Sequence, residues 1–174
     1  MTFQTFVADT VAFVREHEAW APLIVFVLAF AESFAFISLL VPAWGILIGV
    51  GALVGASGLE FWPVWLGAAA GASLGDWISY LIGYYLRDRA AHVWPLSRHP
   101  EMVARGHAFF ERWGAWGIFI GRFFGPLRAV VPLVAGVFAM SQFLFQMANV
   151  ASAMVWAFVL LAPGAAMLHR FLPA

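Results

Sequence analysis

Read for its apolar and polar positions, the chain is a series of long apolar stretches interrupted at a few sharply defined places. Residues 2–18 set Phe3, Phe6, Val7, Thr10, Phe13, Val14 and His17 at helical spacing against Gln4, Asp9, Arg15, Glu16 and Glu18, which predicts an amphipathic helix lying in a membrane interface. From Ala19 to Gly58 the single ionisable side chain is Glu32, and Pro22 and Pro42 are the breakers. Two full crossings need about 40 residues plus a turn, so a re-entrant helical hairpin fits this stretch better. A second apolar stretch, Ala115 to Met140, has only 26 residues. Two crossings there would be about 13 residues each, short of the roughly 20 required, and re-entrance is favoured more strongly.

The remaining segments read more simply. Phe61 to Leu86 is long enough to span a bilayer and carries Gly67, Gly71 and Gly75 as a small-residue stripe for close helix packing, followed directly by Asp76. Arg87 to Arg112 holds five of the nine arginines with His92, His99 and His107, which makes it cytoplasmic by the positive-inside rule. Within it Pro100 opens a second interfacial helix, with Met102, Val103, Phe109, Phe110 and Trp113 on its apolar side. Phe143 to Leu168 is again long enough to span, and its Gln146, Asn149 and Ser152 are expected to hydrogen-bond to neighbouring helices.

The stretch from Gly121 to Pro132 is the most costly to place, because it holds Arg122, Arg128, Pro126 and Pro132 inside an apolar segment. A charge at the centre of a membrane helix costs about 2.5–3.5 kcal/mol on insertion scales, so it faces a protein interior or a wet cavity and marks a functional site by default. The prolines remove backbone donors and predict a broken, polar-lined element. The same pattern occurs 90 residues earlier: Glu32 to Pro42 aligns with Arg122 to Pro132, matching Phe34 to Phe124, Val41 to Val131 and Pro42 to Pro132 with the leading charge inverted. Weak internal repeats with interrupted apolar segments point to transporter folds whose site lies between two halves. The expected fold is therefore an all-α integral membrane protein, a single domain over residues 1–174. It comprises two inverted repeats, about 1–88 and 89–174, each with an interfacial helix, a re-entrant helical hairpin and a transmembrane helix. Pro42, Gly45, Pro126 and Pro132 mark the hairpin tips and breaks.

Composition narrows the chemistry. Hydrophobic residues are 64% of the 174 and charged residues 10%, against about 25% charged in soluble domains. Formal neutrality argues against nucleic acid as a partner. Without cysteine there is no disulfide, thiolate metal site or thiol nucleophile, and the sequence calls for no metal or cofactor. All nine basic side chains are arginine, which suits a bidentate grip on phosphate or carboxylate, although biased codon usage gives the same result.

Several of these residues together resemble the DedA family, also described as the SNARE-associated Golgi or VTT domain. The resemblance rests on Glu32 with Pro42 ten residues on, Gly71-Ala-Ser-Leu-Gly75-Asp76 with Tyr80 and Gly83, Phe109-Phe110 and Gly114, Gly121-Arg122-Phe123 through Pro126 and Arg128, then Gly136, Phe143, Asn149 and Trp156. It implies two re-entrant hairpins facing each other, in a family linked to polyprenyl-phosphate recycling, phospholipid translocation or proton-dependent transport. By the same resemblance Glu32, Arg122 and Arg128 are functional charges and Pro42 is the hairpin-tip proline. Many members carry glycine and an acid after that proline where this chain has Ala43 and Trp44, which puts proton coupling in doubt.

The expected function is a transporter or flippase in the bacterial inner membrane, most concretely for undecaprenyl phosphate, with Glu32, Asp76, Arg122 and Arg128 as its substrate-binding and transport charges. Both arginines are expected to converge on one phosphate, with Glu32 pairing to an arginine when the site is empty. A phospholipid scramblase, a proton-dependent small-molecule transporter and a homo-oligomer stay open. A structural reading has Glu32 and Arg122 pairing only to hold the hairpins together. A lipid phosphatase needs a nucleophile and an acid or base within reach, and none of the five histidines lies in the apolar hairpin stretches, so no enzyme activity is expected.

Overall fold

The computed structural model of the chain describes residues 16–34, 43–90, 100–124 and 127–171. The expected first interfacial helix, Pro42 and Pro126 therefore fall wholly or largely outside the described residues. A short 3-10 turn, Glu18–Trp20, leads into helix α1 (Ala21–Ser33), followed by α2 (Ala43–Ser57), α3 (Phe61–Ala90), α4 (Pro100–Gly121), α5 (Leu127–Val137) and α6 (Gln142–Phe171). All the regular structure among the described residues is helical.

The breaks have local causes. Helix α1 starts with a proline in its first turn, where the missing N–H costs no helical bond, and ends where Phe34 turns extended. Helix α4 is two helices joined at Gly114, whose φ of 43° and ψ of −122° interrupt the helical path at a residue without a Cβ. The kink separates the expected interfacial helix from the apolar stretch beginning at Ala115, and it folds the Phe109 ring onto Gly117. Between α5 and α6 the chain reverses in a few residues. Ala139 takes a left-handed conformation and the Met140 N–H reaches back to the Ala135 carbonyl.

Two positions differ from expectation. Gly45 and Pro132 lie inside α2 and α5 instead of at a break. A single interior proline removes one backbone bond and bends a helix without having to end it. Helix α6 likewise continues through Pro163.

Glycines on α3 and α5 set how closely the helices approach. A Cβ on Gly67 would lie 2.5 Å from the Pro22 carbonyl oxygen, one on Gly75 would lie 2.7 Å from that of Phe30, and one on Gly71 would strike that of Phe26. The stripe anticipated for α3 thus lies against the backbone of α1. At the other end of α3, Gly83 meets the Leu133 carbonyl while Gly136 of α5 meets that of Tyr80. The main packings are α1 on α2 and α3, α2 on α6, α3 on both α5 and α6, and α4 on α5 and α6.

The core falls into two apolar clusters. One joins Val25, Ala29, Leu47, Val54, Ala68 and Ala72 to Ala153, Trp156 and Leu161. The other joins Tyr80, Ile118 and Ala135 to Phe145 and Ala148. Along α3 the first cluster precedes the second, and along α6 the order reverses, so the two long helices run antiparallel. Between the clusters both helices turn polar, at Asp76 and Ser79 on α3 and at Asn149 and Ser152 on α6, and all four side chains are buried.

Outside, the chain is apolar. Leu23, Ile24 and Val27 of α1 and Phe143, Met147, Val150, Val155, Phe158 and Val159 of α6 are exposed, a surface a soluble monomer rarely presents. Trp20 and Trp62 are exposed at the starts of α1 and α3, where an aromatic belt would meet the lipid interface. Among the described residues one segment, Gln142–Pro163, is long and apolar enough by composition alone to cross a bilayer.

Candidate functional site

The buried polar layer becomes a site because α1, α4 and α5 each bring charge to it. Arg122 follows Ile118 by one helical turn, so its side chain continues the buried face of α4 into the space between α3 and α6. There one guanidinium nitrogen, Nη2, donates both to Asp76 Oδ2 of α3 and, at 2.5 Å, to Asn149 Oδ1 of α6. Asn149 in turn donates from Nδ2 to the Ser73 carbonyl at 2.9 Å, which ties α6 to α3 and orients the amide.

The second arginine reaches the other way. Arg128 of α5 donates to Glu32 Oε1 at 2.6 Å and to Ser33 Oγ at 3.0 Å, both at the end of α1. Its guanidinium carbon lies 4.4 Å from the centroid of the Trp156 ring on α6, a cation–π contact worth about 0.5–2 kcal/mol according to how dry the site is. The two ion pairs together bury two cations and two carboxylates.

This cluster is deeply buried and incompletely satisfied. The side chains of Arg122 and Asp76 are 3% and 6% exposed, and those of Arg128 and Glu32 11% and 5%. Arg122 Nε and Nη1 and Glu32 Oε2 are buried without a hydrogen-bond partner among the described residues. A charged group withdrawn from water needs its donors and acceptors matched, so each of these atoms has capacity for a further polar partner.

All four charges anticipated from the sequence come together here, with different partners. Arg122 meets Asp76, and Glu32 meets Arg128, so the two arginines bind separate carboxylates. The structural reading that paired Glu32 with Arg122 is corrected accordingly. Asn149, Ser33 and Trp156 were not assigned to the site in advance. A lone Asn in the apolar first half of a membrane helix was the available signal for Asn149. Gln146 accepts a 3.4 Å contact from Asn149 of its own helix, and Ser152 donates to the Asn149 carbonyl, so Asn149 alone of the three reaches a neighbouring helix through the bonds described.

Residues 41–166 match the VTT domain, nearly three quarters of the chain. The chain belongs to the VTT-domain, or DedA, family. Inner membrane protein YabI of Escherichia coli is 30% identical over 145 residues, 83% of this chain and 57% of the relative. Inner membrane protein YqjA of the same organism is 28% identical over 138 residues, 79% and 63% of the two chains. A membrane protein of Buchnera aphidicola is 29% identical over 153 residues, covering 88% and 60%. The chain thus spans about three fifths of the length of the curated relatives it matches. No solved structure matches it. Membership of the family and the named relatives make this a membrane protein, in keeping with its apolar exterior. Within this VTT-domain protein Asp76, Arg122, Arg128, Asn149 and Trp156 lie inside the matched span, and Glu32 lies just before it.

Proposed function

We propose that the protein is a transporter of an anionic lipid that carries the phosphate head group of a polyprenyl monophosphate, undecaprenyl phosphate being the specific candidate, across the bilayer. The observation that carries this reading is Arg122, a buried guanidinium with two nitrogens unpartnered among the described residues, in a chain that buries a second arginine, Arg128, against Glu32. A phosphate offers several strong acceptors, and an arginine fork accepts them bidentately. The four-membered cluster is neutral as it stands, so an entering phosphate adds negative charge. Glu32 or Asp76 then leaves its arginine or takes up a proton, and that exchange links loading to rearrangement of the helices. No bond of the lipid is made or broken in this cycle, and it is transport, not catalysis.

The fold is read as two inverted, multi-pass repeats. Exchanging α1 with α4, α2 with α5 and α3 with α6 leaves the set of principal helix packings unchanged, and the exchanged long helices are antiparallel, which supports the reading. Helices α1 and α2 have 13 and 15 residues and α5 has 11, each short of the roughly 20 needed to cross, which supports re-entrant hairpins.

A structural alternative is favoured by one observation, that each arginine already has a carboxylate. Vesicles containing only this protein separate the two. Polyprenyl monophosphate is expected to move between leaflets faster than in protein-free vesicles, and Arg122→Gln that accumulates in the membrane is expected to reduce this to background. Wild-type vesicles no faster than protein-free ones would leave the charges an architectural role.

A further inference from the structure

Helix α6 supplies no member of the two ion pairs, yet it touches both arginines. Asn149 Oδ1 accepts from Arg122 Nη2 at 2.5 Å, and the Trp156 ring faces the Arg128 guanidinium at 4.4 Å. The two residues are seven positions apart, close to two turns, so they stand on one face of α6 about 10 Å from each other along its axis. Both side chains are buried. The acids come from other helices, Asp76 from α3 and Glu32 from α1.

Each arginine thus has an acid on one helix and a neutral partner on α6, and the two kinds of partner respond differently when an anion enters. A carboxylate competes with the anion for the same donors, and a proton removes its charge, so either event weakens its hold. An amide oxygen and an aromatic face have no charge to lose. Their own supports are also independent of the acids. The Asn149 amide is fixed by its Nδ2 bond to the Ser73 carbonyl at 2.9 Å, and Trp156 is packed in the apolar cluster with Val25, Leu47 and Leu161. Glu32, by contrast, is the last residue but one of α1, where the partial negative charge of the helix end disfavours a carboxylate.

We propose that the buried face of α6 is the seat of both guanidinium groups, with Asn149 and Trp156 as the positioning residues that keep Arg122 and Arg128 in place while Asp76 and Glu32 give way to the transported anion. The role in transport rests on the anionic-lipid reading of the site. The seat itself is a property of the protein alone.

The first measurement therefore needs no lipid. The full chain in detergent micelles carries isotope-labelled arginine, and NMR signals of the Arg122 and Arg128 Nε–H groups are identified by their loss in Arg122→Lys and Arg128→Lys. The Trp156 ring is expected to shift the Arg128 signal upfield of those of exposed arginines. That shift is expected to survive Glu32→Gln and to disappear in Trp156→Leu with Glu32 intact. Exchange of the Arg122 Nε–H with water is expected to stay slow in Asp76→Asn and to quicken several-fold when Asn149→Leu is added. An Arg128 shift that vanishes in Glu32→Gln, or Arg122 exchange that quickens as much in Asp76→Asn alone, would overturn the seat, because the acids would then be what holds the arginines. Should Asp76→Asn not fold, Asn149→Leu with Asp76 intact decides the same point: quickened exchange supports the seat and unchanged exchange opposes it.

The second measurement is movement of polyprenyl monophosphate between leaflets of vesicles containing only this protein. Trp156→Phe and Trp156→Leu both open space in the apolar cluster, and only the first keeps an aromatic face for the cation. At equal amounts of protein in the membrane, Trp156→Phe is expected to retain most of the wild-type rate and Trp156→Leu to lose it several-fold. Equal rates in the two variants would overturn the positioning role and leave the seat. A wild type that moves no lipid would overturn the transport reading and the positioning role with it, and the arginine signals would still decide the seat.

Discussion

Arg122 sits where its charge is expensive, and what holds it there among the described residues is one carboxylate and one amide oxygen. Removing one partner of a buried pair leaves the other charge uncompensated and costs about 3–5 kcal/mol, while removing both is far milder. Asp76→Asn is therefore expected to lower the thermal midpoint in detergent markedly, and Asp76→Asn with Arg122→Gln to recover most of the loss without recovering transport. Additive losses in the double variant would mean that the two side chains are not a pair. The charges themselves were legible in the sequence because an ionisable side chain inside an apolar stretch has so few tolerable positions. Which carboxylate each arginine takes was not, since that depends on how α1 and α3 are rotated against α4 and α5. Trp156 was hidden for a related reason: an aromatic residue in an apolar helix gives no sign that its face will lie under a guanidinium.

At the scale of helices, contact between α1 and α3 depends on three successive glycines having no side chain. Gly71→Ala drives a Cβ into the Phe26 backbone, and overpacking of this kind costs about 1–3 kcal/mol. Gly49 of α2 has nothing near its missing Cβ, so Gly49→Ala is expected to be neutral or to stabilise by roughly 0.5–1 kcal/mol. Thermal unfolding of the two variants in the same detergent tests the difference, and equal midpoints would refute close packing at Gly71. Spacing made this stripe readable in advance, as length did the two long helices, which extend a few residues beyond the apolar limits because polar residues at an interface still favour helix. Gly114 marks the kink between an amphipathic and an apolar stretch, where the change in pattern was visible. Pro132 was harder to judge, because pattern alone does not say whether a proline bends a helix or ends it.

For the whole molecule, the apolar exterior and the family place the chain in a membrane, and its path through that membrane is open to a direct test because there is no native cysteine. Glu18 and Glu60 flank the first proposed hairpin, Glu111 and Ser141 flank the second, and all four are exposed. Single cysteines at Glu18 and Glu60 are expected to react with a membrane-impermeant thiol reagent from one side, and those at Glu111 and Ser141 from the opposite side. Labelling of the two flanks of one hairpin from opposite sides would contradict re-entrance. The central claim is that the paired arginines exist to hold a lipid phosphate, and the most direct measurement is the preference of the purified protein for polyprenyl monophosphate over the polyprenyl alcohol by native mass spectrometry. The account predicts a clear preference for the phosphate that falls sharply in Arg128→Lys, which keeps the charge and loses the planar fork. Equal affinity for phosphate and alcohol would contradict it.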